Sequence, residues 1–289
     1  MAKLHRWDHP DVQPVRPDGR APYGLARVHG AHLVSSMATV CIDRRGIPGT
    51  TNEMGAVCDF TRELLTTYKR TGLFEAIIAD AGNGSLEHAS LIHDNDLAYI
   101  LAIKQPAGDI HSEAKRLLAE CKAEEAEHVV TRREKGGTVT HRLWRVTISG
   151  FLCWGHARQL VRVERTVNKD DAETTGNRYF ATNLPQGRLK GAGWLAAIRL
   201  YWRCENNGHW TADVVWKEDA RRTPWITDPK AVFALGLLRM IALNVIAILR
   251  AMSRRHYCSR PPPWADVVQA LRFLLAPPAI DLGERLDFE

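Results

Sequence analysis

Between residues 199 and 222 the chain gathers Arg199, Glu205, Asn206, His209, Trp210, Asp213, Glu218, Asp219 and Arg222 into two dozen positions. The stretch begins inside an apolar run with helical spacing, formed by Trp194, Leu195, Ile198, Tyr201 and Trp202. At 3.6 residues per turn, Arg199, Trp202, Glu205 or Asn206, and His209 fall along one stripe. A carboxylate then stands between a guanidinium, an amide and an imidazole, with tryptophans on either side. That set suits holding a metal ion against a phosphate better than it suits packing a core. The bland alternative is an amphipathic helix whose wet face carries ordinary i,i+4 pairs.

One glutamate cannot assemble a two-metal site. Two divalent ions about 3.5–4 Å apart need carboxylates from separate elements. Magnesium takes oxygen ligands and keeps several waters, so three carboxylates suffice once a substrate phosphate joins. The chain has 33 acidic residues, so spacing alone selects none of them. Asp80 is the best second member. It ends the apolar run Ala76-Ile77-Ile78-Ala79, which sets its carboxylate at a strand's C-terminal edge, where α/β folds place their sites. Its other reading is a helix cap or turn residue.

The register of the 199–222 stretch resembles the C-terminal signature of bacterial insertion-sequence DDE transposases. Arg199, Trp202, Glu205-Asn206, His209-Trp210, Asp213-Val214, Glu218-Asp219 and Arg222 carry the resemblance without a gap. These transposases have a ribonuclease-H-like, retroviral-integrase-like core. Ala79-Asp80-Ala81 resembles the family's second catalytic position, and Ala98 to Lys104 the strand after it. Asp18-Gly19-Arg20, followed by His32-Leu33-Val34-Ser35, resembles the first catalytic segment. There the usual lysine is Arg20, an expected arginine is Tyr23, and two prolines precede the aspartate. Proline removes a ladder donor, and Asp-Gly is a common turn dipeptide. Asn52-Glu53 resembles a further family pair.

The resemblance implies an α/β fold: a ribonuclease-H-like mixed sheet flanked by helices, with a β-rich insertion before the last catalytic glutamate. Asp18, Asp80 and Glu205 would be the catalytic residues and hold Mg2+ or Mn2+. Lys104, Arg158, Arg162, Arg165, Arg199 and His209 would contact DNA, with Trp144 and Trp154 either stacking on bases or buried as core. The implied activity is metal-dependent strand cleavage and transfer, on double-stranded DNA that includes transposon ends and target, with a homodimer as the implied assembly. Two rivals remain, a catalytically inactive DNA-binding remnant and a metal-dependent nuclease of the same fold. Only 17 residues precede Asp18, where the family normally carries another domain, so the chain reads as a shortened copy. The expected division is a poorly structured tail over 1–17, a catalytic domain over 18–252 with the insertion at about 110–185, and a tail with a short helix over 253–289.

Composition agrees without deciding. The net charge is +6, and arginines cluster at 142–165 and 239–260, which favours a polyanion. The six cysteines lack paired spacing and no apolar leader opens the chain, so a cytoplasmic protein with reduced thiols is expected. Cys153 with His156, and His256 with Cys258, lack the second pair that zinc needs. Residues 231–252 are strongly apolar but interrupted by Arg239 and Asn244. No uncharged run reaches the roughly 18 residues of a membrane span, so a buried core helix is expected there.

The remaining periodicities predict strands at 31–40, 76–79, 98–103, 139–148, 160–163 and 179–182. They predict helices at 57–69, 86–93, 110–125, 194–207, 229–252 and 264–275.

Overall fold

The computed structural model describes residues 2–4, 9–19, 21–34, 38–105, 109–134, 137–149, 154–169, 172–204, 228–256 and 262–275. Its centre is a six-stranded sheet built from β5 (Ala76–Ala79), β6 (Ala98–Ile103), β7 (His128–Glu134), β8 (Gly137–Thr147), β9 (Gln159–Lys169) and β10 (Ala172–Thr182). The spatial order is β5-β6-β10-β9-β8-β7. β5 and β6 are parallel, and the other neighbours are antiparallel. The sheet is therefore mixed.

Period-two alternation assigns the two faces. Tyr99, Leu101, Trp144, Leu160 and Ala181 pack with Ala89 and Ile92 of α2 (Leu86–His93) and with Ile110, Ala114 and Leu118 of α3 (Asp109–Leu118). Their neighbours Ile100, Leu143, Val161, Val163 and Phe180 turn the other way, onto Trp194, Leu195 and Ile198 of α4 (Gly191–Arg203). Successive strand residues point to opposite faces, so a nearly continuous apolar run is what a sheet covered on both sides requires. Each fully buried Leu or Ile contributes roughly 1.5–3 kcal/mol.

A second, four-stranded sheet holds β1 (Ala2–Leu4), β2 (Gln13–Val15), β3 (Tyr23–Val34) and β4 (Thr39–Ile47). The expected unstructured tail thus contributes two strands, because residues 23–26 of β3 have an edge for each of them. Pro14 is tolerated since β2 lies at a sheet edge. α1 (Glu53–Tyr68) starts at Asn52, whose side chain accepts from Gly55 N, so this asparagine caps a helix.

Other expectations are decided or corrected by the structure. The single strand expected at 31–40 is instead the end of β3 and the start of β4, which pair antiparallel. The β-rich segment continues the central sheet, since β10 pairs directly with β6. Of the two readings open for Trp144 and Trp154 the structure has the core one, since they are 3% and 2% exposed, too buried to stack on bases. α3 ends at Leu118, short of the predicted 125, and β7 was not expected at all. Lastly, α5 (Pro229–His256) is only partly a core helix. Ile246 and Ala247 are buried while seven large apolar side chains are exposed. Its Pro229–Ser253 stretch is long and apolar enough to cross a membrane, by length and composition alone. α6 (Trp264–Leu275) matches its predicted bounds.

Candidate active site

Asp80 follows the last residue of β5, at the C-terminal edge of the sheet. Its Oδ1 accepts from Asn83 N at 3.1 Å, and its carbonyl accepts from the same N–H. The loop continues to Ser85, whose hydroxyl accepts from His88 N and caps α2. Gly84 is needed where this loop crosses β6, since a Cβ there would meet the Ala102 carbonyl oxygen at 2.1 Å. Gly84→Ala is therefore expected to displace the Asp80 loop and destabilise the fold by about 1–3 kcal/mol. An unchanged denaturant midpoint would contradict that close approach.

Two cavities meet at Asp80. The first, of about 730 Å³, is lined by Asp80, Lys104, His111, Lys115, Arg178 and Trp202, among others. Lys104 sits just beyond β6 and is exposed. Arg178 stacks over the Trp202 ring at 4.0 Å. His111 is 7% exposed and its Nδ1 has no hydrogen-bond partner among the described residues. Three cationic side chains around one carboxylate make this cavity suited to a phosphate.

The second cavity, of about 610 Å³, lies between β3 and β5, and its lining includes His29, Glu53, Asp80, His88, Tyr201 and Cys204. Here β3 and β5 face each other without pairing among the described residues. His88 holds the Asp80 loop from beneath. Its Nδ1 lies 2.8 Å from the Asn83 carbonyl oxygen, and its Nε2 lies 3.0 Å from Thr61 Oγ1. A carbonyl can only accept, so Nδ1 carries the proton and the threonine hydroxyl donates to Nε2. His29 contacts the Glu53 carbonyl at 2.9 Å and stacks on Phe60.

Burial is the first cause that lowers the pKa of His29, His88, His111, His141 and His156 below 6.5. The sign follows from linkage. As pH falls below 6.5, the unfolded chain takes up protons that the folded chain refuses, so stability drops toward the lowered folded values. The melting temperature is expected to fall between about pH 7.5 and about pH 5.5. An equal melting temperature at both would show that these rings are not buried in neutral form.

The remaining expected site residues are distributed unevenly. Asp18 is exposed in the turn between β2 and β3, beside Gly19 at φ +67°, and lines neither cavity. Glu205 and His209 lie outside the described residues. Cys204, immediately before Glu205 in sequence, does line the second cavity with Asp80. Arg199 lines neither cavity, and its charge acts on His141 together with that of Arg165. Arg158 is exposed, and Arg165 is 45% exposed with Glu134 at 4.0 Å.

Arg162 is 11% exposed and committed inside the fold. It reaches Glu164 at 2.9 Å, Asn177 at 2.8 Å and the Leu118 carbonyl at 2.8 Å, and stacks over Trp144. His156, a zinc candidate in sequence, instead bonds Ser90 and Tyr99 through its two ring nitrogens. Among the described residues, no cluster of three or more His, Cys, Asp or Glu could hold a metal ion. The Asp80 carboxylate, whose Oδ1 accepts from Asn83 N, is the kind of oxygen ligand a hard cation takes, but a ligand set of three needs further carboxylates.

Sequence reasoning missed His29, His88, His111, Lys115 and Arg178. Their positions follow from strand register and helix packing, not from any motif.

No family model matches the chain, and no curated protein matches it. Among solved structures it is similar to a piggyBac transposase in a synaptic complex with hairpin DNA, determined by cryo-EM. The identity is 10% and the TM-score 0.45, with 96% of this chain and 54% of that chain covered. The chain thus spans about half the length of that transposase chain.

Proposed function

We propose that the protein is a DNA transposase of the DDE type, derived from a bacterial insertion sequence and acting on cytoplasmic DNA. One observation carries this reading: Asp80 and Cys204, the residue directly before Glu205, line the same cavity. Asp80 and Glu205 are the pair that would hold Mg2+ or Mn2+, with Asp18 as the third carboxylate. When bound, such ions activate an attacking oxygen and stabilise the leaving oxygen of an in-line phosphoryl transfer. The chain's own residues do the rest. Lys104, Lys115 and Arg178 hold the strand's phosphates in the first cavity. His88 and Thr61 fix the loop that carries Asp80.

The test is nicking of supercoiled plasmid by the full chain with Mg2+ or Mn2+. Metal-dependent nicking supports the reading, and its absence overturns catalysis. Joining of a cut end to a second duplex separates a transposase from a nuclease of the same fold. The exposed position of Asp18, away from both cavities, favours a second reading, a DNA-binding remnant that does not cut.

Either reading requires DNA contact by exposed cations. Arg158 and Arg165 are the expected phosphate contacts of the central sheet. Replacing both with alanine should reduce the slope of log affinity against log salt by about 2, at about 0.9 per contact. An unchanged slope would move the DNA path elsewhere.

A further inference from the structure

The turn after β5 ties Asn83 to Asp80 and to α2. Asn83 N donates both to Asp80 Oδ1 and to the Asp80 carbonyl, each at 3.1 Å. The Asn83 carbonyl accepts from His88 Nδ1 at 2.8 Å. Both main-chain groups of Asn83 are thus committed, and the residue lines the second cavity together with Asp80 and His88.

Its side chain has no such commitment. Asn83 Oδ1 is buried and has no hydrogen-bond partner among the described residues. An acceptor taken out of water and left unpaired is costly, and such a group in a native fold points to a bound ion, a water or a part in the chemistry. A divalent ion of magnesium's size sits about 2.0–2.1 Å from its oxygens, nearer than a hydrogen-bonded water, and so reaches an acceptor that is closed to water. Gly82, between the two residues, keeps the carboxylate uncovered: a Cβ there would stand 3.4 and 3.5 Å from the two Asp80 carboxylate oxygens. A carboxylate and an amide carbonyl are both ligands that a hard cation takes. The bonds to Asp80 and from His88 fix the Asn83 main chain before any ion arrives, which lowers the cost of ordering it.

We propose that Asn83 Oδ1 is a cation ligand beside Asp80, so that the 80–83 turn holds one divalent ion through a carboxylate and an amide. The proposal rests on the reading in which Asp80 holds Mg2+ or Mn2+, and adds to it an amide that the family resemblance does not supply. It draws nothing from Asp18, which lines neither cavity.

Titration of the full chain with Mn2+, followed by the free-ion signal in electron paramagnetic resonance, tests it. Asn83→Ala keeps both main-chain groups of residue 83 and should melt close to the wild type without metal, because the acceptor it removes is unpaired. Its Mn2+ affinity should fall about 10–100-fold. Asn83→Asp puts a charged oxygen ligand in the amide's place and should bind Mn2+ more tightly than the wild type. If Asn83→Ala binds Mn2+ as the wild type does while Asp80→Asn does not, the proposal is overturned and the Asp80 reading stands. A wild type that binds no Mn2+ overturns both. Should Asn83→Ala lose its fold, Asn83→Asp decides: tighter binding supports the proposal, and unchanged or weaker binding overturns it.

Discussion

Asp80→Asn is expected to abolish metal-dependent DNA cleavage while leaving the fold intact. The carboxylate stands at a strand end with Oδ1 held by Asn83 N. An asparagine keeps one oxygen in the same place, so the turn retains its acceptor and the stability change stays within about 1 kcal/mol. The negative charge is lost, and a neutral amide is a poor ligand for a hard cation. The rate should fall by more than the roughly 10–100-fold that an outer-shell partner of a metal is worth. Quantitative nicking of supercoiled plasmid, paired with a melting curve, reads both effects. Wild-type nicking by the variant would remove Asp80 from the chemistry.

Arg162→Ala should do the opposite, lowering stability by about 3 kcal/mol with little change in the salt dependence of DNA binding. The Arg162 side chain is only 11% exposed and ties Glu164 of its own strand to Asn177 on β10 and to the Leu118 carbonyl at the end of α3. Removing it strips Glu164 of one of two arginine partners, since Arg142 remains at 2.8 Å. It also uncovers the Trp144 ring. Urea denaturation measures the loss. A stability within 0.5 kcal/mol or so of wild type, the range of ordinary surface changes, would mean that the network contributes little.

The legible parts of the fold were those with strong local signals. The continuous apolar run at 98–103 and the apolar stripes at 86–93 and 264–275 fixed β6, α2 and α6 to within a residue. Asp80 could be read because an acid ending an apolar strand emerges at the sheet edge. β7 could not, because His128-Val-Val-Thr-Arg-Arg-Glu134 is mostly exposed at a sheet edge and lacks an apolar alternation. The commitment of Arg162 was equally hidden. Its partners come from α3, β9 and β10, and only the strand register brings Asn177 opposite Glu164. In sequence it looked like one more arginine of a basic cluster. The two faces of α5 were averaged by its composition, which records how apolar a helix is but not which side is covered.

The most direct test of the central claim is a metal titration across a double-mutant cycle at Asp80 and Glu205. The melting temperature is measured with and without Mn2+ for the wild type, Asp80→Asn, Glu205→Gln and the double variant. A cation held by both carboxylates stabilises the folded chain by mass action. The metal-induced shift should therefore be large in the wild type, mostly lost in each single variant, and no smaller in the double variant than in either single one. A full shift in Asp80→Asn or in Glu205→Gln would mean that the two residues do not share a metal ion, and would contradict the site.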